Sequence, residues 1–115
     1  MRGVTLDNKM IKELTISKEE LLEKKFCTNK DFILRDIADE HVLIPLMENE
    51  IFDNTLISLN ETAAFLWKVF SNGSSIKNAI TIALDVYDSS YDIIEDSVIN
   101  FILENLKFDL LREEN

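Results

Sequence analysis

The feature that most constrains this chain is a change of hydrophobic period near Asn60. Between residues 31 and 59 the apolar side chains fall in short runs rich in β-branched and aromatic types: Phe32-Ile33-Leu34-Arg35-Asp36-Ile37, His41-Val42-Leu43-Ile44-Pro45-Leu46 and Thr55-Leu56-Ile57-Ser58-Leu59. Runs of that length and make-up suit strands. Beyond Asn60 the spacing becomes helical, most clearly at Ile76, Ala79, Ile80, Ala83, Leu84 and Tyr87, which share one face. Strands followed by helices predict an α+β domain in which a three-stranded antiparallel meander leads into three helices.

Ala38-Asp39-Glu40 separates the first two runs, and residues 47–54 read as a second turn. Pro45 has no N–H for a sheet ladder, so it belongs at a strand end or on an unpaired side. In the third run Ile57 and Leu59 take one face and Leu56 and Ser58 the other. Asn60 suits a helix N-cap, with Glu61 in the positive first turn. The nearly all-apolar helix that follows breaks at Ser71-Asn72-Gly73-Ser74-Ser75, where Gly73 can take a positive φ. After a further break at Asp88-Ser89-Ser90, Asp92 with Glu95 offers a capping-box-like start to a last helix running to about Phe108.

That last helix is more apolar than one core requires. At 100° per residue, Ile94, Val98, Phe101 and Phe108 lie to one side, Ile99, Leu103, Leu106 and Leu110 to another, and Ile102 between, together spanning about 220°. A helix on a single core needs a stripe only a little over about 100° wide, so a second contact surface is expected. An N-terminal helix is one candidate cover. Ser17 with Glu20 forms a capping box, Ile16 can staple onto Leu21, and a short helix should run to about Phe26 with Leu21, Leu22 and Phe26 as its sticky face. It could lie on the last helix within the chain, or across a homodimer.

With 115 residues and 46% hydrophobic side chains, one domain is expected at 31–111, preceded by a helical extension at 1–30. Twenty-two acidic against 12 basic side chains leave a formal charge of −10, which repels nucleic-acid phosphates and attracts basic peptides. A single cysteine, Cys27, excludes an internal disulfide, a cysteine-cluster metal site and a redox pair, and fits a cytoplasmic setting. No run is long enough for a signal peptide or a membrane span. Catalysis finds little footing: His41 is the sole histidine, with no nucleophile motif beside it, no calcium-loop pattern exists, and no cofactor is expected.

The segment Thr55-Leu56-Ile57-Ser58-Leu59-Asn60-Glu61-Thr62-Ala63-Ala64-Phe65-Leu66-Trp67 resembles the strand, Leu-Asn, small-residue and Trp signature of the PqqD family, whose members act in pyrroloquinoline quinone biosynthesis. Asp96-Ser97-Val98, Phe101-Ile102 and Leu106 resemble the pattern of its last helix. Two features depart from it: Asp109 stands where a glycine is usual, and the N-terminal extension is long. The resemblance implies a winged-helix-like, non-catalytic recognition element. Such domains bind the leader of a ribosomally made precursor peptide and present its core to a modifying enzyme, often a radical S-adenosylmethionine enzyme.

On that reading the leader adds as a strand to the open edge at Thr55, Leu56, Ile57 and Ser58 and lays apolar side chains against the last helix. Ile94, Val98, Phe101 and Ile102 are the candidate groove wall, and periodicity leaves open which helix face meets the groove. Asp96 is given a capping, helix-positioning or partner-contact role from its family position. One rival is a winged-helix DNA-binding regulator, opposed by charge, since the second helix carries only Lys77 as a basic side chain. Another is a structural subunit of a modification complex that holds the enzyme without touching the precursor.

Overall fold

A computed structural model of the chain describes residues 17–46 and 57–114. Its elements are α1 (Lys18–Glu23), β1 (Lys25–Thr28), β2 (Phe32–Ile37), β3 (Glu40–Pro45), β4 (Ile57–Leu59), α2 (Glu61–Phe70), β5 (Ser74–Ser75), α3 (Ile76–Val86), α4 (Tyr91–Lys107) and β6 (Leu111–Glu114). The expected turn at 47–54, the edge residues Thr55 and Leu56, and the staple residue Ile16 lie outside the described residues.

The expected meander is present as an antiparallel sheet in the order β2-β3-β4. Its first hairpin closes through Ala38 and Asp39, both at positive φ (50° and 67°), the backbone of a two-residue turn whose twist matches the flanking strands. Strand register pairs Phe32 with Pro45 through to Ile37 with Glu40. Leu46 N–H donates to the Asp31 carbonyl at 2.8 Å. Because antiparallel pairs alternate between hydrogen-bonded and non-bonded, Ile33, Arg35 and Ile37 bond across to β3, while Leu34 and Asp36 turn their main-chain groups outward. Pro45 falls at a non-bonded position opposite Phe32, so no bond between β2 and β3 is lost to it. By the same alternation His41 and Leu43 face β4, and Ser58, opposite Val42, turns its N–H and C=O away from the sheet.

A second sheet, in the order β5-β1-β6, was not expected. The N-terminal helix stops at Glu23, short of the expected Phe26, because Lys24 is already extended (φ −68°, ψ 145°) and Lys25–Thr28 pairs with Leu111–Glu114 along its whole length. The burial of Phe26 and Thr28 follows the two-residue period of a strand. Gly73, at φ +82°, leads into β5, and a Cβ there would come within 2.6 Å of a Glu114 carboxylate oxygen. Lys24 Nζ also bonds Glu113 Oε2 at 2.8 Å, tying the entry of β1 to the C-terminal strand.

Asn60 caps α2 by accepting from Ala63 N–H at 2.8 Å, and Ser75 caps α3 through Asn78 N–H. The last helix is capped by Ser90, two residues ahead of the expected Asp92 start; Asp92 sits in the first turn, where its charge meets the positive helix end. The helix ends at Lys107, and Asp109 takes the left-handed conformation (φ 58°) that the family's usual glycine would take. Leu110, counted above as part of the helix, is instead buried just beyond it.

The core gathers Leu43, Leu66, Phe70, Ile76, Ile80, Val98, Ile102 and Leu111, with the rings of Phe70 and Phe101 stacked at 6.0 Å. Helix α1 joins through Leu21 and Leu22, which pack against this cluster while Ser17 and Glu20 close the capping box. Lys18 also reaches Glu95 Oε1 on α4 at 2.6 Å. Glu95 is only 5% exposed, and Lys18 is the cation that meets it.

The bond to Glu95, and then the attraction of its charge, raise the Lys18 pKa above the ordinary 10.5. A raised folded-state pKa gives a stabilisation that is complete below 10.5 and is lost as pH climbs through the folded value. Lys18→Met should therefore lower the urea midpoint at neutral pH, and the gap to the wild-type curve should close in strongly alkaline buffer. A gap that stays constant with pH would mean that the pair contributes through packing alone.

Candidate functional site

Between β4 and α4 lies an open groove of about 650 Å³. One wall is the strand at Ile57, Ser58 and Leu59; the other is α4 at Ser97, Asn100, Phe101 and Glu104, with Phe108 at the helix end. Leu66 and Ala63 of α2 reach it from below, so the floor is apolar and the rim polar. Phe108 is 51% exposed, an aromatic ring offered at the mouth. Asn105 lines the groove with its amide N–H donating to the Phe101 carbonyl at 2.7 Å.

This places the candidate residues in distinct settings. Ile57, Ser58 and Phe101 line the groove, whereas Thr55 and Leu56 lie outside the described residues. Ile94, Val98 and Ile102 are packed in the core, on the side of α4 that faces α2 and α3. Asp96 is exposed and does not line the groove. The groove-facing line of α4 runs instead through Ser97, Asn100, Phe101, Glu104 and Phe108. Sequence reading passed over this line because three of its five members are polar. The available signal was their three- and four-residue spacing around Phe101.

Beside the groove β4 presents an open edge. No described strand pairs with its outer side, and Ser58, the middle residue, carries the outward N–H and C=O. Its side chain is exposed, while Ile57 and Leu59 on the opposite face pack against the core. Glu104 stands on the groove rim, and Asp39, Glu40 and Glu61 border a shallower hollow at the other end of the strand. The ground around this edge is therefore acidic.

The titratable and nucleophilic side chains noted in the sequence lie in separate elements. His41 pairs with Asp36 across the hairpin, Nδ1 to Oδ1 at 2.6 Å, away from any cysteine. Cys27 is a half-buried free thiol in β1. Among the described residues no three His, Cys, Asp or Glu side chains are grouped to hold a metal ion, and no helix is long and apolar enough to cross a membrane.

Comparison with known proteins places the fold and the family. The solved structure of TbiB1 in complex with the TbiA(beta) leader peptide shares the fold: it aligns with 77% of this chain and 98% of its own at a TM-score of 0.61 and 17% identity. No curated protein matches the chain. The family model described as Coenzyme PQQ synthesis protein D (PqqD) matches residues 40–107, from the second strand of the meander to the end of α4. By that match over more than half of its length, the chain belongs to the PqqD family.

Proposed function

We propose that this protein is a non-catalytic recognition subunit that binds the leader of a ribosomally made precursor peptide and presents it to a modifying enzyme. The observation that carries the reading is the open main-chain edge of β4 set beside an apolar groove. An extended peptide pairing with Ser58 satisfies main-chain groups with which no described strand pairs, and alternate side chains then fall onto Leu66, Ala63 and Phe101. Main-chain bonds supply affinity without sequence preference, and the groove sets the register.

Two further observations support this reading. The fold is shared with TbiB1, which was solved with a leader peptide bound. The acidic surroundings of the edge and the net charge of −10 favour a leader with basic residues flanking its apolar anchors. The modifying enzyme, of radical S-adenosylmethionine type in the reading from family resemblance, acts on the core that the bound leader leaves free.

The test is titration of the fluorescently labelled leader of a candidate precursor peptide against the full chain. Saturable binding that slows amide exchange at Ser58 is expected. Absence of saturable binding, with enzyme binding retained, would instead establish a structural subunit. The DNA-binding alternative predicts a mobility shift on duplex DNA at low salt, which the acidic surface opposes.

A further inference from the structure

We infer that the opposite edge of the same sheet, β2, is a second docking site, which takes an acidic extended segment of a partner protein. A cleft of about 500 Å³ runs between β2 and α2, floored by Phe32, Leu34 and Trp67. Its exposed rim carries Lys30, Arg35 and Lys68. Three of the chain's 12 basic side chains thus meet around one cleft, in a protein of net charge −10. The one acid lining it, Asp36, is already engaged by His41.

The main chain is arranged for strand addition. Leu34 and Asp36 turn their N–H and C=O outward, and among the described residues no strand pairs with that side. Lys30 Nζ donates to the Ser71 carbonyl at the end of α2, which holds its charge over the cleft. Arg35 Nη1 donates a long hydrogen bond of 3.5 Å to the outward Leu34 carbonyl, which holds the guanidinium along the edge and leaves that oxygen's second lone pair for an incoming strand. An incoming strand with alternating carboxylate and apolar side chains meets cations on the rim and Phe32, Leu34 and Trp67 on the floor.

Charge decides between occupants. A second copy pairing β2 against β2 brings like cations together, which is unfavourable across strands. A basic leader is repelled here and attracted at β4, where Glu40, Glu61 and Glu104 stand. The two edges lie about 10 Å apart across β3, so a leader and an acidic partner strand can be held together on one sheet. The inference stands on the β2 geometry and does not require leader binding.

A short labelled peptide of alternating glutamate and valine, titrated against the full chain at low salt, tests it. Saturable binding that weakens with salt and slows amide exchange at Leu34 and Asp36 is expected. The triple variant Lys30→Glu, Arg35→Glu, Lys68→Glu should bind at least about tenfold more weakly, with the corresponding glutamine variant intermediate. All these positions are exposed, and unchanged far-ultraviolet dichroism checks the fold. Leader binding should not weaken in either variant, since removing cations can only favour a basic leader. The proposal is overturned by absence of saturable binding, by protection at Ser58 in place of Leu34, by affinity that ignores the charge changes, or by salt-insensitive self-association through β2.

Discussion

Ser58→Pro should weaken leader binding at least tenfold, about the effect of one lost hydrogen bond near the upper end of its usual range, while leaving the fold in place. Proline removes the outward N–H and sets its ring where the peptide strand must approach. The fold is spared because Ser58 occupies a non-bonded position opposite Val42, so β3 and β4 keep their ladder bonds through Ile57 and Leu59. Ile57 is already extended, as a residue before proline prefers. Ser58→Ala keeps the N–H and should bind like the wild type. Fluorescence anisotropy with labelled leader gives the affinities and a thermal melt checks stability; wild-type affinity in Ser58→Pro would exclude pairing along β4.

The largest effect on stability is expected from Phe70→Ala, at about 3–5 kcal/mol. Phe70 is fully buried at the end of α2, and its ring stacks on Phe101 with an interplanar angle of 16°. Domains of this size are stable by only about 5–15 kcal/mol, so the truncation should remove about a fifth of the total or more. Phe70→Leu, which keeps most of the volume, should cost below about 1.5 kcal/mol. Urea unfolding monitored at Trp67 measures both. The stack also links core to groove: Phe101 lines the groove, and without Phe70 behind it the groove floor can shift. Leader affinity should therefore fall in Phe70→Ala even under conditions where the protein remains folded. Affinity equal to wild type would show that the floor holds its position without the stack.

Much of the framework was legible in local patterns. The hairpin of β2 and β3, the N-caps at Ser17 and Asn60, the positive φ at Gly73 and the amphipathic face of α3 each arise from interactions within a few residues. Side-chain alternation placed Ser58 opposite in sense to Ile57 and Leu59, and that parity is a property of any strand. The surplus apolar character of the last helix pointed to a second contact surface but not to its direction. Ile94, Val98 and Ile102 are as hydrophobic as Phe101, and only packing against α2 and α3 separates core from groove.

What the sequence by itself determined is therefore the three-stranded meander, the helices and their order, and which meander residues face opposite ways, because periodicity and capping are short-range. What only the tertiary structure decided is the pairing of Lys25–Thr28 with Leu111–Glu114 and the line of α4 that faces the groove beside β4. A strand that forms through partners at the far end of the chain leaves no local signal beyond a weak alternation, and helix propensity around Ser17 outweighed it on paper. In the folded chain the burial of Phe26 and a full ladder to β6 outweigh that propensity, and the helix ends at Glu23.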